Sequence, residues 1–283
     1  MSSARLLCAG EAFEDLVFIG LERLPGPGEE VRTNRFSATI GGGAVITAVA
    51  AARLGVDVGL VSALSDAAVT RLRDEKIRVT NLRKRGEPHA ITAALSTGPE
   101  RAFVTFDGVN LKLGTRLGPV LSKVRTGHVH LALYPRDTRE WRRRLVALRR
   151  RGVTTSCDFG WNDALARDPG LPGLLDAMDV VFVNEREAML YAGTDDFERA
   201  LNVWRNEQSL VVIKLGAEGS RCVCTKGEYR VPAPKVQAVD TTGAGDAFNG
   251  GFLSAWLRKA PLVECLRVGN RIGAASTRKA GGI

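Results

Sequence analysis

Short apolar segments rich in β-branched residues alternate with helix-forming segments through most of the chain. The strand candidates are residues 6–11, 58–64, 128–133, 154–159, 180–184 and 210–216, and the helix candidates are residues 44–54, 66–74, 138–151, 171–178, 185–191 and 196–206. Repeated strand–helix units place successive strands parallel, and near-continuous apolar strands indicate a sheet that is covered on both faces. The sequence therefore predicts an α/β fold, a doubly wound and mostly parallel sheet flanked by helices.

Two segments interrupt this alternation and show the two-residue period of strands without helices. Residues 15–37 and 89–107 alternate in this way, and the second contains hairpin turn residues at 97–100. We expect a small β-sheet lid, formed from about 12–38 and 88–108, over a site at the strand ends of the large sheet. With a hairpin at 221–232 and two C-terminal helices, the chain is predicted to be a single domain, residues 1–283.

The chain is basic, with a formal net charge of +9, and eight of its arginines lie between positions 136 and 151. In that segment Trp141, Leu145 and Leu148 recur at helical spacing, which predicts an amphipathic helix with an arginine-rich outer face. A basic nucleic-acid binder is the alternative, but no aromatic interleaving or nucleic-acid motif accompanies the arginines. We therefore expect no nucleic-acid partner.

The cysteines favour a compartment that keeps thiols reduced. The five cysteines are scattered and mostly set in apolar strand candidates, and Cys222 and Cys224 lack a second ligand pair at zinc spacing. No apolar stretch approaches ~18 residues, and residues 1–5 do not begin a signal peptide. We expect a cytoplasmic protein with no membrane contact and no structural zinc.

The strongest chemical signal is the segment DTTGAGDAFNGGF at 240–252. Gly243 and Gly245 allow a sharp turn, and their N–H groups, with those of Ala244 and Asp246, can converge at a helix start to bind an anion. Asp246 could simply cap that helix. However, phosphoryl transfer to an alcohol also needs a carboxylate beside a phosphate-sized anion site, because the hydroxyl requires a base and the transferred oxygens require donors.

This segment resembles the C-terminal signature of the ribokinase-like (PfkB) carbohydrate kinases, D-T-x-G-A-G-D-x-F-x-x-G, and matches it throughout. Further motifs extend the resemblance over nearly the whole chain, in the family's order. The resemblance implies a kinase that uses ATP and Mg²⁺, with its substrate between the large domain and the lid and with Asp246 as general base. No P-loop or protein-kinase signature competes with this interpretation.

Residues 183–187, V-N-E-R-E, resemble the family's N-x-x-E motif. The resemblance implies that Asn184 and Glu187 organise magnesium and its waters near the nucleotide phosphates, and Mg²⁺ does keep several waters and few carboxylate ligands. The alternative is structural, with Asn184 capping a helix and Glu187 completing a capping box.

Two N-terminal motifs are similar to the family's substrate-binding segments. Asp15 ends a G-E-x-x-x-D pattern and is expected to accept hydrogen bonds from substrate hydroxyls. The run Gly41, Gly42 and Gly43 resembles the family's substrate loop, where missing Cβ atoms permit close backbone approach. Ile46 stands where the family usually has an asparagine that contacts sugar hydroxyls, so acceptor recognition must differ at this position.

The nucleotide-binding residues are expected near the end of the 210–216 strand. Lys214, Gly216 and Gly219 resemble the family's strand-end motif near the ATP phosphates and ribose, and Asn270 matches an asparagine near the adenine pocket. Asp158 ends the 154–159 strand and either lines the site or is an ordinary loop residue.

The predicted activity is ATP-dependent phosphorylation of a hydroxyl, expected to be primary, on a small sugar or sugar-like molecule. A nucleoside is the alternative acceptor, because Ile46 makes the pocket less polar than a ribose site. A non-catalytic nucleotide- or sugar-binding regulator is the alternative from another class, although a sensor has no need of a base at Asp246. Dimerisation through the lid sheet occurs in some members of the family that this chain resembles, and exposed edges of the predicted lid would allow a homodimer here.

Overall fold

The computed structural model describes residues 4–97, 101–133, 135–207, 209–225, 227–278 and 281. The strands are β1 (Ala4–Gly10), β2 (Phe13–Ile19), β3 (Arg35–Gly41), β4 (Val58–Ser62), β5 (Arg78–Asn81), β6 (Ile91–Ser96), β7 (Arg101–Phe106), β8 (Thr126–Ala132), β9 (Thr154–Asp158), β10 (Val180–Asn184), β11 (Leu210–Lys214), β12 (Ser220–Cys224) and β13 (Gly227–Val231). The α-helices are α1 (Gly43–Arg53), α2 (Asp66–Asp74), α3 (Leu113–Leu121), α4 (Thr138–Arg150), α5 (Asp163–Ala166), α6 (Leu171–Leu175), α7 (Glu185–Ala192), α8 (Phe197–Trp204), α9 (Ala244–Trp256) and α10 (Leu262–Ser276).

In the described part of the chain, nine strands form a large sheet in the order β13-β12-β11-β10-β9-β8-β1-β4-β5. The strands from β11 to β5 pair in parallel, while β12 and β13 add an antiparallel hairpin at one edge. The predicted α/β class is confirmed. The strand order reverses next to β1, and ligands of such sheets bind beyond the carboxyl ends of the strands at this kind of reversal.

Helices cover both faces of the large sheet, with an apolar core on each. One core contains the buried face of the arginine-rich helix α4, formed by Trp141, Leu145 and Leu148, as the helical spacing predicted. The other contains apolar residues of α1, α9 and α10, including Phe248 and Phe252. The arginines of α4 therefore lie on a helix that is anchored by its apolar stripe.

The described residues also contain a separate four-stranded sheet in the order β3-β2-β6-β7. It arises from the two segments that were predicted to form a small β-sheet, although residues 20–34 between β2 and β3 contribute no strand, and the turn residues 98–100 lie outside the described residues. β2 pairs with β6 in parallel, while β3 and β7 are antiparallel edge strands. Side chains alternate between two faces, so Asp15 of β2 and Thr39 of β3 share one face.

Three elements escaped the sequence pattern, namely β5, α3 and the four-residue helix α5. β5 has only four residues and lies at the sheet edge beyond β4. α3 contains Pro119 and two glycines, Gly114 and Gly118, which lower helix propensity, yet it buries an apolar stripe against the large sheet. Among the described residues, no helix is long and apolar enough to span a membrane.

Candidate active site

The glycine-rich signature forms the start of α9. Gly243 has a left-handed backbone (φ +72°), and α9 begins at Ala244. The amide of Ala244 already donates to Thr241 O at 3.2 Å, so of the three first-turn amides of α9, those of Gly245 and Asp246 are the better placed. They stand at the open helix end, where first-turn N–H groups lack intrahelical acceptors and an anion is favoured.

Asp246 lies in the first turn of α9 and is partly buried against the glycine run at the start of α1. A Cβ added to Gly43 would come within 2.9 Å of Asp246 Oδ1, so glycine at this position lets the two segments meet. Thr47 Oγ1 donates to the backbone carbonyl of Asp246 at 3.1 Å, which ties α1 to α9. Burial and the nearby charges of Asp158 and Glu187 raise the pKa of Asp246 to about 7, against the opposing charge of Lys214.

A buried ion pair lies beside this carboxylate. Lys214 Nζ, at the end of β11, donates to Asp158 Oδ2, at the end of β9, at 2.5 Å. Asn249 Nδ2 donates to the same oxygen at 2.7 Å. Burial alone would raise the pKa of Asp158, but Lys214 and Asn249 hold it below its usual value, and the surrounding carboxylates keep the pKa of Lys214 high despite burial.

From the sequence, Asp158 could either line the site or be an ordinary loop residue. Its contacts with Lys214 and Asn249 place it in the cluster beside Asp246. Asn249 was not singled out from the sequence, although it lies three residues after Asp246 and hence on the same face of α9. Lys214 also abuts the anion site, since a Cβ on Gly245 would come within 3.1 Å of its Nζ. An ammonium group thus lies next to the amides that could bind a phosphate.

Asn184 and Glu187 form the capping box that was the structural alternative. Asn184 Oδ1 accepts from the amide of Glu187 at 2.9 Å, and Glu187 Oε2 accepts from the amide of Asn184 at 2.8 Å. Glu187 is buried, and burial together with the charge of Asp158 raises its pKa. Asn184 Nδ2 and Glu187 Oε1 are the atoms that the box leaves for other partners.

The predicted substrate residues meet at the junction of the two sheets. A Cβ on Gly41 would overlap Asp15 Oδ2 at 1.9 Å, and one on Gly42, whose φ is +100°, would lie 2.3 Å from Glu11 O. Burial raises the pKa of Asp15 to about 6. Asp15 lines a cavity of about 200 Å³ between the small sheet and the loop that precedes α9.

Ile46 follows the glycine run, in the helix that begins at Gly43. It lies in the first turns of α1, is 4% exposed, and is not among the described residues that line the cavity. Gly41, Gly42 and Gly43 are likewise absent from that cavity wall, so a contact between Ile46 and the acceptor stays a prediction.

The predicted nucleotide residues separate into two groups. Lys214 lies in the cluster described above, while Gly216 (φ +58°) and Gly219 (φ +101°) shape the turn between β11 and β12. Asn270 lies on α10, and its Nδ2 donates to Val231 O at 2.9 Å and Pro232 O at 3.3 Å. Its amide hydrogens thus hold the end of β13 to α10, and its contact with adenine stays a prediction.

Comparisons with known proteins agree with this arrangement. The model of the pfkB family carbohydrate kinase matches residues 3–283. The chain is 32% identical to the ATP-dependent ribose-1-phosphate kinase of Halopiger xanaduensis, covering 98% of this chain and 93% of that protein. It is 28% identical to the ribokinase of Haemophilus influenzae, covering 90% and 86%.

Solved structures share the fold. The adenosine kinase from Sinorhizobium meliloti superposes with a TM-score of 0.82 at 23% identity, covering 99% of this chain and 96% of that one. The Arabidopsis thaliana ribokinase, solved in complex with ribose and ATP, superposes with a TM-score of 0.76 at 23% identity, covering 99% and 94%.

Proposed function

Because the chain belongs to the PfkB family of carbohydrate kinases, we propose that it transfers the γ-phosphoryl group of ATP to a primary hydroxyl of a small sugar-like acceptor, with Asp246 as general base. One observation carries the proposal. The partly buried carboxylate of Asp246 stands at the open N-terminus of α9, and its pKa is raised to about 7. A base with a pKa near the working pH combines a large ionised fraction with useful basicity.

In the proposed step, the acceptor lies between Asp15 and Asp246, and its hydroxyl oxygen forms a bond to the γ-phosphorus as the bond to the ADP oxygen breaks. Asp246 takes the hydroxyl proton. The amides of Gly245 and Asp246, the α9 dipole and the ammonium of Lys214 stabilise the charge on the transferred oxygens. The nucleotide therefore lies with its phosphates along the start of α9, which leaves Gly216 and Gly219 to shape its more distant contacts.

Magnesium fits the residues next to this position. Bound with the nucleotide, Mg²⁺ neutralises charge on the phosphates. The capping box occupies Asn184 Oδ1 and Glu187 Oε2, so Glu187 Oε1 is the carboxylate oxygen available to a metal-bound water. A single carboxylate oxygen acting through water matches the preference of Mg²⁺ for retaining its hydration shell.

Asp246→Asn tests the role of the base. The amide keeps the shape of the side chain but cannot take a proton, so we expect turnover to fall by roughly 10²–10⁴-fold with little change in ATP affinity. The assay is ADP release with Mg-ATP across neutral sugars, sugar phosphates, sugar acids and nucleosides. Asp74→Asn, on the exposed end of α2, is the matched control, and equal turnover of Asp246→Asn and wild type would contradict the assignment.

A nucleoside is the second candidate acceptor, and one feature of the cavity favours it. Phe103 of β7 and Val239, which both line the cavity, are 56% and 64% exposed. Such side chains could pack against the flat face of a base.

ATP binding without turnover of any acceptor would instead support the alternative of a non-catalytic nucleotide- or sugar-binding regulator.

We also propose that two copies associate through the outer face of the small sheet. Phe36, Val104 and Phe106 are 57%, 66% and 54% exposed. The strand register places all three on the face opposite Asp15, where Phe36 is level with Phe18, Val104 with Leu16, and Phe106 with Ile91. A contiguous apolar face of this kind is typical of a protein–protein interface.

A further inference from the structure

Two histidines of β8 lie in the core beneath α9 and take no part in the proposed transfer step. His128 and His130 are fully buried, and the strand register puts them on the same face of the large sheet as Asp158. Burial lowers the pKa of His128 to about 3 and that of His130 to about 4, so both rings are neutral at pH 7. A neutral imidazole carries one N–H, and its two nitrogens are therefore one donor and one acceptor.

A chain of hydrogen bonds fixes the position of the proton on each ring. Thr154 Oγ1 donates to Gly127 O at 3.1 Å, so it accepts from His128 Nδ1 at 2.9 Å. His128 Nε2 is then an acceptor, and the Ser156 hydroxyl donates to it at 2.8 Å. Ser156 Oγ in turn accepts from His130 Nδ1 at 2.9 Å. The proton of His130 is therefore on Nδ1, and its Nε2 is an unprotonated acceptor.

His130 Nε2 and Asn249 Oδ1 are both buried, and neither has a hydrogen-bond partner among the described residues. The orientation of the Asn249 amide follows from its contact with Asp158, because a carboxylate oxygen accepts from Nδ2 at 2.7 Å. Both unpartnered atoms are thus acceptors, and neither can satisfy the other. A buried acceptor without a donor is costly, so this pair calls for a donor from outside the chain.

The direction of α9 over the sheet is set by contacts at its two ends. Near its C-terminus, Trp256 packs edge-on against His128, with ring centroids 5.2 Å apart. At its N-terminus, Asp246 lies close to Ala132, the last residue of β8. A Cβ on Gly43 would lie 2.9 Å from Asp246 Oδ1 and 3.1 Å from the Cβ of Ala132. α9 therefore runs antiparallel to β8.

This direction brings the two acceptors to one level. Asn249 lies one turn after Asp246 and reaches the sheet at Asp158, so it stands over the middle of β8. The residue of β8 that faces α9 between the two ends is His130. Water suits this position, because one molecule can donate to two acceptors at once and thereby bridge polar groups that do not contact each other.

We propose that one buried water donates to His130 Nε2 and Asn249 Oδ1, and that His130 is thereby a positioning residue for the cluster beside Asp246. The water holds the Asn249 carbonyl, so Nδ2 stays directed at Asp158 Oδ2, the oxygen that also accepts from Lys214 Nζ. The kinetic consequence rests on the proposed kinase function. The water and the proton positions can be observed without any turnover.

Two measurements test the water and the proton positions directly. A high-resolution crystal structure should show an ordered water within about 3.2 Å of both His130 Nε2 and Asn249 Oδ1. Long-range ¹H–¹⁵N NMR of the three histidines, assigned with His130→Gln, should show His130 protonated at Nδ1 and not at Nε2. A proton on Nε2, or the two side chains in direct contact with no water between them, would overturn the inference.

The kinetic test compares wild type with His130→Phe, which keeps a ring but has no acceptor. We expect kcat to fall by about tenfold, the typical effect of losing one buried hydrogen bond, with little change in the KM for ATP or for the acceptor. His130→Gln, whose amide oxygen can replace Nε2, should recover most of kcat. The control is His89→Phe, a histidine that pairs with Glu14 of β2, and it should leave kcat unchanged.

A double variant distinguishes positioning from general support of the fold. In an Asn249→Ala background, His130→Phe should cause little further loss of kcat, because its effect passes through the Asn249 amide. A further tenfold loss in that background, or a kcat of His130→Phe equal to that of wild type, would refute the positioning role. If no acceptor turns over in wild type, the proposed function fails, and the crystal and NMR results still decide whether the water is bound.

Discussion

Replacing Asp158 with asparagine removes one charge from the buried cluster and nearly preserves its shape. The carboxylate lies 2.5 Å from Lys214 Nζ, and the two side chains are only 9% and 14% exposed. It also accepts from Asn249 at 2.7 Å. The variant therefore leaves a buried ammonium without its counter-charge, which is the situation in which loss of one partner is most costly.

We expect the free energy of unfolding at pH 7 to fall by about 3–5 kcal/mol, the typical cost of breaking a buried pair by removing one partner. The cost should depend on pH with a definite sign. Burial would raise the pKa of Asp158, but Lys214 and Asn249 hold it below its usual value. The advantage of wild type is thus complete above the unfolded pKa of about 4 and shrinks as the pH falls through the lower folded pKa.

The same substitution acts on the base. Burial, Asp158 and Glu187 raise the pKa of Asp246 to about 7, while Lys214 opposes them. Without Asp158 the charge of Lys214 is no longer balanced, so Asp246 should ionise at lower pH. For one charge several ångströms away at an effective dielectric constant of ~20, the acid limb of kcat/KM should move down by about one to two pH units. The limb is expected near pH 7 in wild type.

Two measurements separate these effects. Urea unfolding at pH 7 and pH 3 gives the stability change and its pH dependence, and the pH profile of kcat/KM gives the ionisation of the base. Asp74→Asn, on the exposed end of α2, should alter neither. A destabilised variant whose acid limb stays near pH 7 would show that Asp158 only supports the fold, and the electrostatic reasoning would be wrong.

Two further predictions concern close packing at the anion site and association between copies. Gly245→Ala would place a Cβ 3.1 Å from Lys214 Nζ, so we expect kcat to fall by about tenfold as the ammonium shifts. The control is Gly114→Ala on α3, whose Cβ meets open space and which should leave kcat unchanged. An equal change of kcat in both variants would refute the packing argument. Phe36→Lys should convert the proposed dimer to a monomer, because an unpaired charge disfavours burial of the outer face of the small sheet. Light scattering measures the mass, and kcat per subunit should stay unchanged. A mass equal to that of wild type would show that any interface lies elsewhere.

Most of the fold could be predicted from the sequence, because the patterns that indicate its strands and helices are local. Strands such as β10 and β11 are runs of apolar, mostly β-branched residues, and α4 is defined by three apolar residues at helical spacing. The parts that were missed depend on tertiary contacts. β5 is too short to show a period, and α3 overrides the low propensity of Pro119 and Gly118 by burying its apolar stripe.

The candidate site was predicted where one segment supplies both backbone shape and charge, as at Gly243 and Asp246. The ion pair between Asp158 and Lys214 joins residues that are 56 positions apart, so no spacing rule reveals it. A weaker signal was present, because both residues end parallel strands and carboxyl ends of neighbouring strands meet at one sheet edge. Asn249 lies within the motif at 240–252 that identified Asp246, and no separate sequence pattern marks it.

The capping box and the proposed magnesium role were framed as alternatives, yet the geometry allows both. Asn184 Oδ1 and Glu187 Oε2 face backbone amides that would otherwise be unpaired at the start of α7. Those bonds fix the rotamer of Glu187, so the direction of its second oxygen, Oε1, is fixed as well. Burial and the charge of Asp158 raise the pKa of Glu187. A cation bound nearby would oppose this shift and favour the ionised form of Glu187. Capping is therefore the means by which a carboxylate at this position is held ready for a hydrated metal ion.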